Sequence, residues 1–212
     1  MLDGAARVTD AVAAAAGDGQ PALGITDHGN MYGVLDFYKA CNNHNIKPVI
    51  GTEAYMAHDT RFERPSRRGR VDDSGGATDG GRKLMYHLPL LAENAVGYRN
   101  LIQVASRAFM EGYYYKPRVD WDVLAEHSEG LIATTGCLGG HVLQALLRDD
   151  LDVARTKADR LKDIFVTVTL FIALQDQGIP VEPRIHAHVE SIASTFLPPL
   201  LATHCSTTPR PR

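Results

Sequence analysis

The chain has 212 residues, of which 44% are hydrophobic and 22% charged, and a formal net charge of −3. These are ordinary globular proportions, and chains of this size bury about 70% of their unfolded surface, enough for one sizeable core. They exclude a strongly basic nucleic-acid-binding module, and no apolar run nears the roughly 20 residues that a membrane helix needs.

The opening MLDGAARVTDAVAAAA has no basic leader and is interrupted by Asp3 and Asp10, so it reads as a helix over 4–16 and not as a signal peptide. Gly17 to Gln20 break that helix, and Leu23 to Thr26 read as a short buried strand. After a turn at Gly29 and Asn30, residues 31–45 carry Val34, Leu35, Phe37, Tyr38 and Cys41 at helical spacing. KPVIGTEAY (47–55) is the next strand. The order helix, strand, helix, strand predicts an α/β layer or barrel.

Residues 57–82 are polar, glycine-rich and charged, and predict a flexible loop. Its arginines, Arg61, Arg64, Arg67, Arg68 and Arg70, read first as a solvated linker and second as phosphate contacts. The rhythm resumes with a strand over 83–92 and an amphipathic helix over 94–110, whose expected inner face is Val96, Leu101, Ile102, Val104 and Ala105. An aromatic, partly basic block (111–121), a short helical turn (120–126), a strand running into a glycine-rich turn (130–140) and two helices (141–165) follow. No repeat of 20–50 residues is present. Cys41, Cys137 and Cys205 are odd in number and widely spaced, which predicts reduced thiols in a cytoplasmic protein.

Thr26-Asp27-His28-Gly29 reads as the end of a buried strand presenting a metal-binding or phosphate-handling histidine. His28, Glu53, His87 and Cys137 each fall within or just past a predicted strand. Side chains at the carboxyl ends of neighbouring barrel strands converge on one mouth. A cluster of His, Glu and thiolate there suits a divalent metal such as zinc or manganese. Each residue also has a plainer reading. Asp27 is a helix cap, His28 a satisfied core histidine, His87 a solvent-facing side chain, and Cys137 a buried inert thiol. Glu53 resists such a reading, because a carboxylate in an apolar strand is costly unless paired or metal-bound.

The segments GITDHGNMYGVLDFYKAC, IKPVIGTEAYMA, EGYYYKPRVDWDVLAEHSEGLIATTGCLGG and LFIALQDQGIP, in this order, resemble the polymerase and histidinol phosphatase (PHP) domain that opens the alpha subunit of bacterial replicative DNA polymerase III. The wording is similar to the actinobacterial form. The resemblance implies an α/β fold, a distorted seven-stranded barrel of the PHP type with a metal cluster in its mouth. It implies a metal-dependent 3′–5′ exonuclease in members that keep every ligand, and a structural support for the polymerase in those that do not. The implied metal ligands are Asp3, His28, Glu53, His87 and Cys137. The implied partners are DNA, other polymerase domains and replisome subunits, with no membrane.

Two departures qualify this. The family's opening His-x-His strand lies just before MLDGAARV, so the chain as written is expected to lack its first strand and two ligands. The family's closing Asp-x-His pair falls at Cys205 and Thr207, with His204 beside them, and Ala173 stands where the family has glutamate. The expected organisation is a partial metal-site barrel over 1–165, continued over 166–212 by a stretch that is either degraded or frame-disturbed. The expected function is a fragment of a DNA-replication polymerase subunit, itself inactive or nearly so. The alternatives are a free-standing phosphoesterase of the histidinol phosphatase type or a non-catalytic scaffold.

Overall fold

The computed structural model describes residues 6–64, 85–175, 182–196 and 198–203. Helix α1 (Val8–Gly17) buries Val12 and Ala15, and ends in a turn in which Gly19 adopts φ +74°. Strand β1 (Ala22–His28) leads into helix α2 (Val34–Asn43), which buries Val34, Phe37, Ala40 and Cys41 along one face. Val12, Ala15, Phe37, Ala40, Cys41 and Ile46 form a small core that holds α1 and α2 together. Strand β2 (Lys47–Ala57) is the longest strand and is buried from Gly51 to Ala57.

Strand β3 (Met85–Ala92) is followed by helix α3 (Ala95–Met110), which the Asn94 side chain caps by accepting from the backbone N–H of Val96 and Gly97. The buried stripe of α3 is Gly97, Leu101, Val104 and Ala108, whereas Ile102, expected on the inner face, is 41% exposed. The reason is a close approach: a Cβ at Gly97 would lie 1.8 Å from the carbonyl oxygen of Gly130. The helix therefore turns its glycine, not Val96 or Ile102, toward the sheet.

Strand β4 (Arg118–Val119), helix α4 (Trp121–Glu126), strand β5 (Leu131–Thr134), helices α5 (His141–Leu146) and α6 (Leu151–Thr169), strand β6 (Leu170–Gln175), helix α7 (Glu182–Phe196) and strand β7 (Leu200–Thr203) complete the described chain. The seven strands form one mixed sheet, ordered β1-β2-β3-β5-β6-β7 with β4 also paired to β2, curled as half of a barrel. The pairs β1–β2, β5–β6 and β6–β7 are parallel, whereas β3 is antiparallel to both β2 and β5. Residues beyond 165 thus continue the same sheet, with Ile172 opposite Leu200 and Gln175 opposite Thr203. The main core lies between the sheet and helices α3 to α7.

The start of the 57–82 segment departs from the solvated linker that its composition predicts. Arg61 is only 8% exposed. Its Nη1 donates to both carboxylate oxygens of Asp120 at 2.9 Å, and its Nε donates to Glu111 Oε2 at 2.6 Å. Arg118 is fully buried and donates to the carbonyls of Gly112, Arg61 and Glu63. Composition registers five arginines in a polar run. It cannot register that a buried carboxylate 59 residues away will recruit one of them. Arg67, Arg68 and Arg70 lie outside the described residues.

Tyr86 neighbours His87 and so faces the other side of β3. There its ring stacks on His141, with centroids 3.9 Å apart, and Trp121 lies 5.3 Å from the same imidazole. Burial, then the charges of Lys157, His58 and Arg160, hold the His141 pKa well below that of a free histidine. The unfolded chain takes up this proton below about pH 6.5, and the folded chain does not. Stability therefore falls as pH drops through 6.5 toward the lowered folded value. Urea denaturation at pH 7.5 and 5.5 is expected to show this loss, at a slope of at most about 1.4 kcal/mol per pH unit from this one group. The slope should be flatter in His141→Gln; equal slopes in the two proteins would refute the assignment.

Candidate metal centre

The site is built by strand register. His28 closes β1 directly opposite Glu53 on β2, and Tyr55, two residues further along β2, lies opposite His87 on β3. Side chains two apart share a strand face, so all four project on one side. The antiparallel course of β3 matters here. The mouth collects the carboxyl ends of β1 and β2, and His87 reaches it from near the start of β3. Convergence at carboxyl ends, expected for a parallel barrel, thus holds for His28 and is met from the opposite direction by His87.

Each side chain is held in place. Gly29 follows His28 at φ +66°, and a Cβ there would lie 2.7 Å from the Tyr55 ring, so both backbone sign and space demand glycine. Gly29 N–H donates to the Glu53 carbonyl at 2.8 Å, and Asn30 Nδ2 donates to the His28 carbonyl at 2.9 Å. Asp27 accepts from the N–H of Gly33, the residue ahead of α2, at 2.7 Å; it ties the turn between β1 and α2, while the helix itself has no side-chain cap. On the far side, His87 N–H donates to the Gly139 carbonyl at 3.1 Å, and a Cβ on Gly139 would come within 3.1 Å of the His87 ring. The glycine-rich turn after β5 is therefore what lets the Cys137 loop lie against His87.

His28, Glu53 and His87 offer one ligand atom each within 4.8 Å of one another. Glu53 Oε1 is 2.6 Å from His87 Nδ1, and Glu53 Oε2 is 3.9 Å from His28 Nε2. Cys137 Sγ lies 3.8 Å from both Glu53 Oε1 and His87 Nδ1, beside the trio but not part of its 4.8 Å grouping. Burial first, and the Glu53 charge second, push the Cys137 thiol up to about 11. It is thus protonated at neutral pH in the metal-free protein, and would act as a ligand only by giving up its proton to a bound ion. Two imidazoles and a carboxylate with a thiol beside them match the nitrogen, oxygen and sulfur donors that borderline divalent ions prefer.

Asp3 lies outside the described residues, as do His204, Cys205 and Thr207. Ala173 is buried in β6. Two residues that the sequence reading passed over also belong to the mouth. Tyr55 stacks on His28 at 6.0 Å and 28°, and meets His87 edge-on at 5.3 Å. Lys116 places its ammonium 5.4 Å from the centre of the Tyr55 ring. The signal for Tyr55 was its place two residues beyond Glu53 on one strand; Lys116 had none.

A family model described as the PHP domain matches residues 1–177. The chain belongs to the PHP domain family. Among curated relatives, this PHP domain is 39% identical to the DNA polymerase III subunit alpha of Thermus aquaticus over 206 residues, covering 96% of the chain and 16% of that protein. It is 42% identical to the corresponding subunit of Saccharopolyspora erythraea over 200 residues, covering 91% and 17%. It is 38% identical to that of Mycobacterium tuberculosis over 214 residues, covering 97% and 18%. The chain thus spans about a sixth of the length of the relatives it matches. Among solved structures, a protein described as a metal-dependent phosphoesterase from Bifidobacterium adolescentis superposes with a TM-score of 0.50 at 14% identity, covering 95% of this chain and 82% of that one, a likeness of fold. No helix among the described residues is long and apolar enough to cross a membrane.

Proposed function

We propose that this PHP domain is part of a bacterial DNA polymerase III alpha subunit, in which His28, Glu53 and His87, with Cys137 beside them and Asp3 from the first residues, hold a divalent cation, zinc or manganese. The observation that carries the reading is the meeting of three ligand atoms from three strands within 4.8 Å. The 38–42% identity to alpha subunits supports the parent protein. In that parent the domain would act at the 3′ end of a DNA strand, in the cytoplasm, alongside other polymerase domains and replisome subunits.

When bound, the ion supplies a Lewis acid that polarises a phosphoryl oxygen. The protein's own groups do the rest. His87 orients the Glu53 carboxylate through the 2.6 Å contact, Tyr55 backs the His28 ring, and the Gly139 turn fixes His87. Three ligand atoms serve one ion, whereas in-line phosphodiester hydrolysis at multi-metal centres uses two ions about 3.5–4 Å apart. The chain by itself is therefore expected to bind one equivalent of zinc and to leave a labelled single DNA strand essentially intact. Zinc titration and a timed incubation with manganese or zinc test this. Clear 3′–5′ degradation that His28→Ala abolishes would overturn the inactivity, and absence of zinc binding would overturn the metal reading in favour of a scaffold.

A further inference from the structure

On the face of β3 that carries Tyr86, the fold gathers positive charge with little to oppose it. Lys157 and Arg160, three residues apart on α6, both lie over the indole of Trp121. The Arg160 guanidinium carbon is 4.6 Å from the ring centroid, and the Lys157 ammonium is 5.7 Å from it. Trp121 packs in turn on His141, with centroids 5.3 Å apart, and His141 feels the charges of Lys157, His58 and Arg160. Among the described residues, neither Lys157 nor Arg160 has an ion pair with a carboxylate. The Asp59 carboxylate acts on Lys157 more weakly than Arg160 does, and it lies 3.9 Å from His58 Nε2. The aromatic floor is also incompletely satisfied. Trp121 is 3% exposed and His141 8%, and the indole Nε1 of the one and the imidazole Nε2 of the other are buried without a hydrogen-bond partner.

A cation over an indole is ordinary, and one such contact accounts for Arg160. It does not account for Lys157. Burial first, and the Arg160 charge second, hold the Lys157 ammonium below the usual lysine range. Keeping it charged beside a second cation is therefore costly, and an anion held by both would reverse that cost. We propose that Lys157 and Arg160, on the floor made by Trp121 and His141, form a binding site for a small oxyanion of the phosphate class. The guanidinium fork matches two oxygens of such a group, and the ammonium adds a compact point charge. Two positive charges suit a dianion better than a single carboxylate. The Trp121 Nε1–H can only donate, so it too calls for an acceptor. The site shares no residue with the metal group and does not depend on it, since Tyr86 and His87 face opposite sides of β3.

Trp121 is the single tryptophan of the chain, so its fluorescence reports on the site directly. The test titrates the metal-free chain with inorganic phosphate and, separately, with a small phosphomonoester. A saturable change in Trp121 emission is expected, with a rise in the thermal midpoint from binding to the folded state. Sodium chloride at matched ionic strength should produce neither. A response to either phosphate compound supports the site, and the tighter of the two names the source of the oxyanion. Lys157→Gln with Arg160→Gln should weaken the response by about tenfold or more. Arg160→Lys, which keeps the charge and loses the fork, should weaken it less. Circular dichroism of the variants should match the parent, and if the double variant loses its fold, Arg160→Gln alone decides, because Arg160 is exposed. No saturable change in the parent, an equal response to chloride, or a folded variant that responds with the parent's affinity would overturn the proposal and leave the two cations as a cover for the indole.

Discussion

Asp120→Ala is expected to lower folding stability by about 3–5 kcal/mol, the range for breaking a buried ion pair from one side. Asp120 is 2% exposed and accepts from Arg61 N–H at 3.0 Å, from Arg61 Nη1 at 2.9 Å, and from Val123 N–H at 3.2 Å as the cap of α4. Removing the carboxylate leaves Arg61 buried with Glu111 as its remaining anionic partner, and leaves α4 without its side-chain cap. Asp120→Asn keeps the cap geometry but not the charge, and should cost less. The pH dependence has a definite sign. Burial alone would raise the Asp120 pKa, but the backbone N–H groups of Arg61 and Val123 and the Arg61 guanidinium outweigh it and hold the pKa below the ordinary value. The contribution is therefore complete above about pH 4, the unfolded value, and is lost as pH falls through the lower folded value. Urea denaturation of the parent and both variants at pH 7 and pH 3 measures it. A gap between parent and Asp120→Asn that does not narrow at pH 3 would show that charge is not what Asp120 contributes.

Glu53→Gln is expected to reduce zinc affinity by on the order of a hundredfold or more, since even residues that only orient ligands cost 10- to 100-fold when removed. It keeps the shape of the side chain and removes the one carboxylate of the trio, the group that lies within 3.9 Å of both imidazoles. The same change should leave the metal-free fold at least as stable, because a carboxylate that is 7% exposed carries a desolvation cost that the amide does not. Opposite signs for metal affinity and metal-free stability are the mark of a group kept for a ligand. Calorimetric titration with zinc, paired with urea denaturation in EDTA, gives both numbers. Unchanged zinc affinity would remove Glu53 from the ligand set. A large loss of metal-free stability would instead make it a structural partner of His87.

Much of the fold was legible in order. The Ala-rich helix, the strand before Asp27, the apolar face of α2 and the strand KPVIGTEAY all appear close to where their periodicity places them. Local signals sufficed there because each element buries a face that its own spacing defines. The inner face of α3 was read less well. Ile102 and Val96 yielded to Gly97, because the helix docks by backbone contact with Gly130, and apolar spacing does not report how closely two backbones can approach. Arg61 was misread for a related reason: its partners, Glu111 and Asp120, are remote in sequence, and a polar loop composition looks the same whether or not one of its charges turns inward.

At the site, sequence by itself determined which residues were worth watching. A carboxylate inside an apolar strand and histidines and a thiol at strand ends are chemically conspicuous wherever they occur. Tertiary structure alone decided that His28, Glu53 and His87 meet within 4.8 Å, with Cys137 Sγ 3.8 Å from Glu53 and His87 but outside that grouping. The physical reason is register. A strand presents alternate residues to opposite faces, so a slip of one residue would send Glu53 to the other side of the sheet. That register is set by pairings across the sheet, including the reversal of β3 that brings His87 into the mouth, and no stretch of sequence contains it.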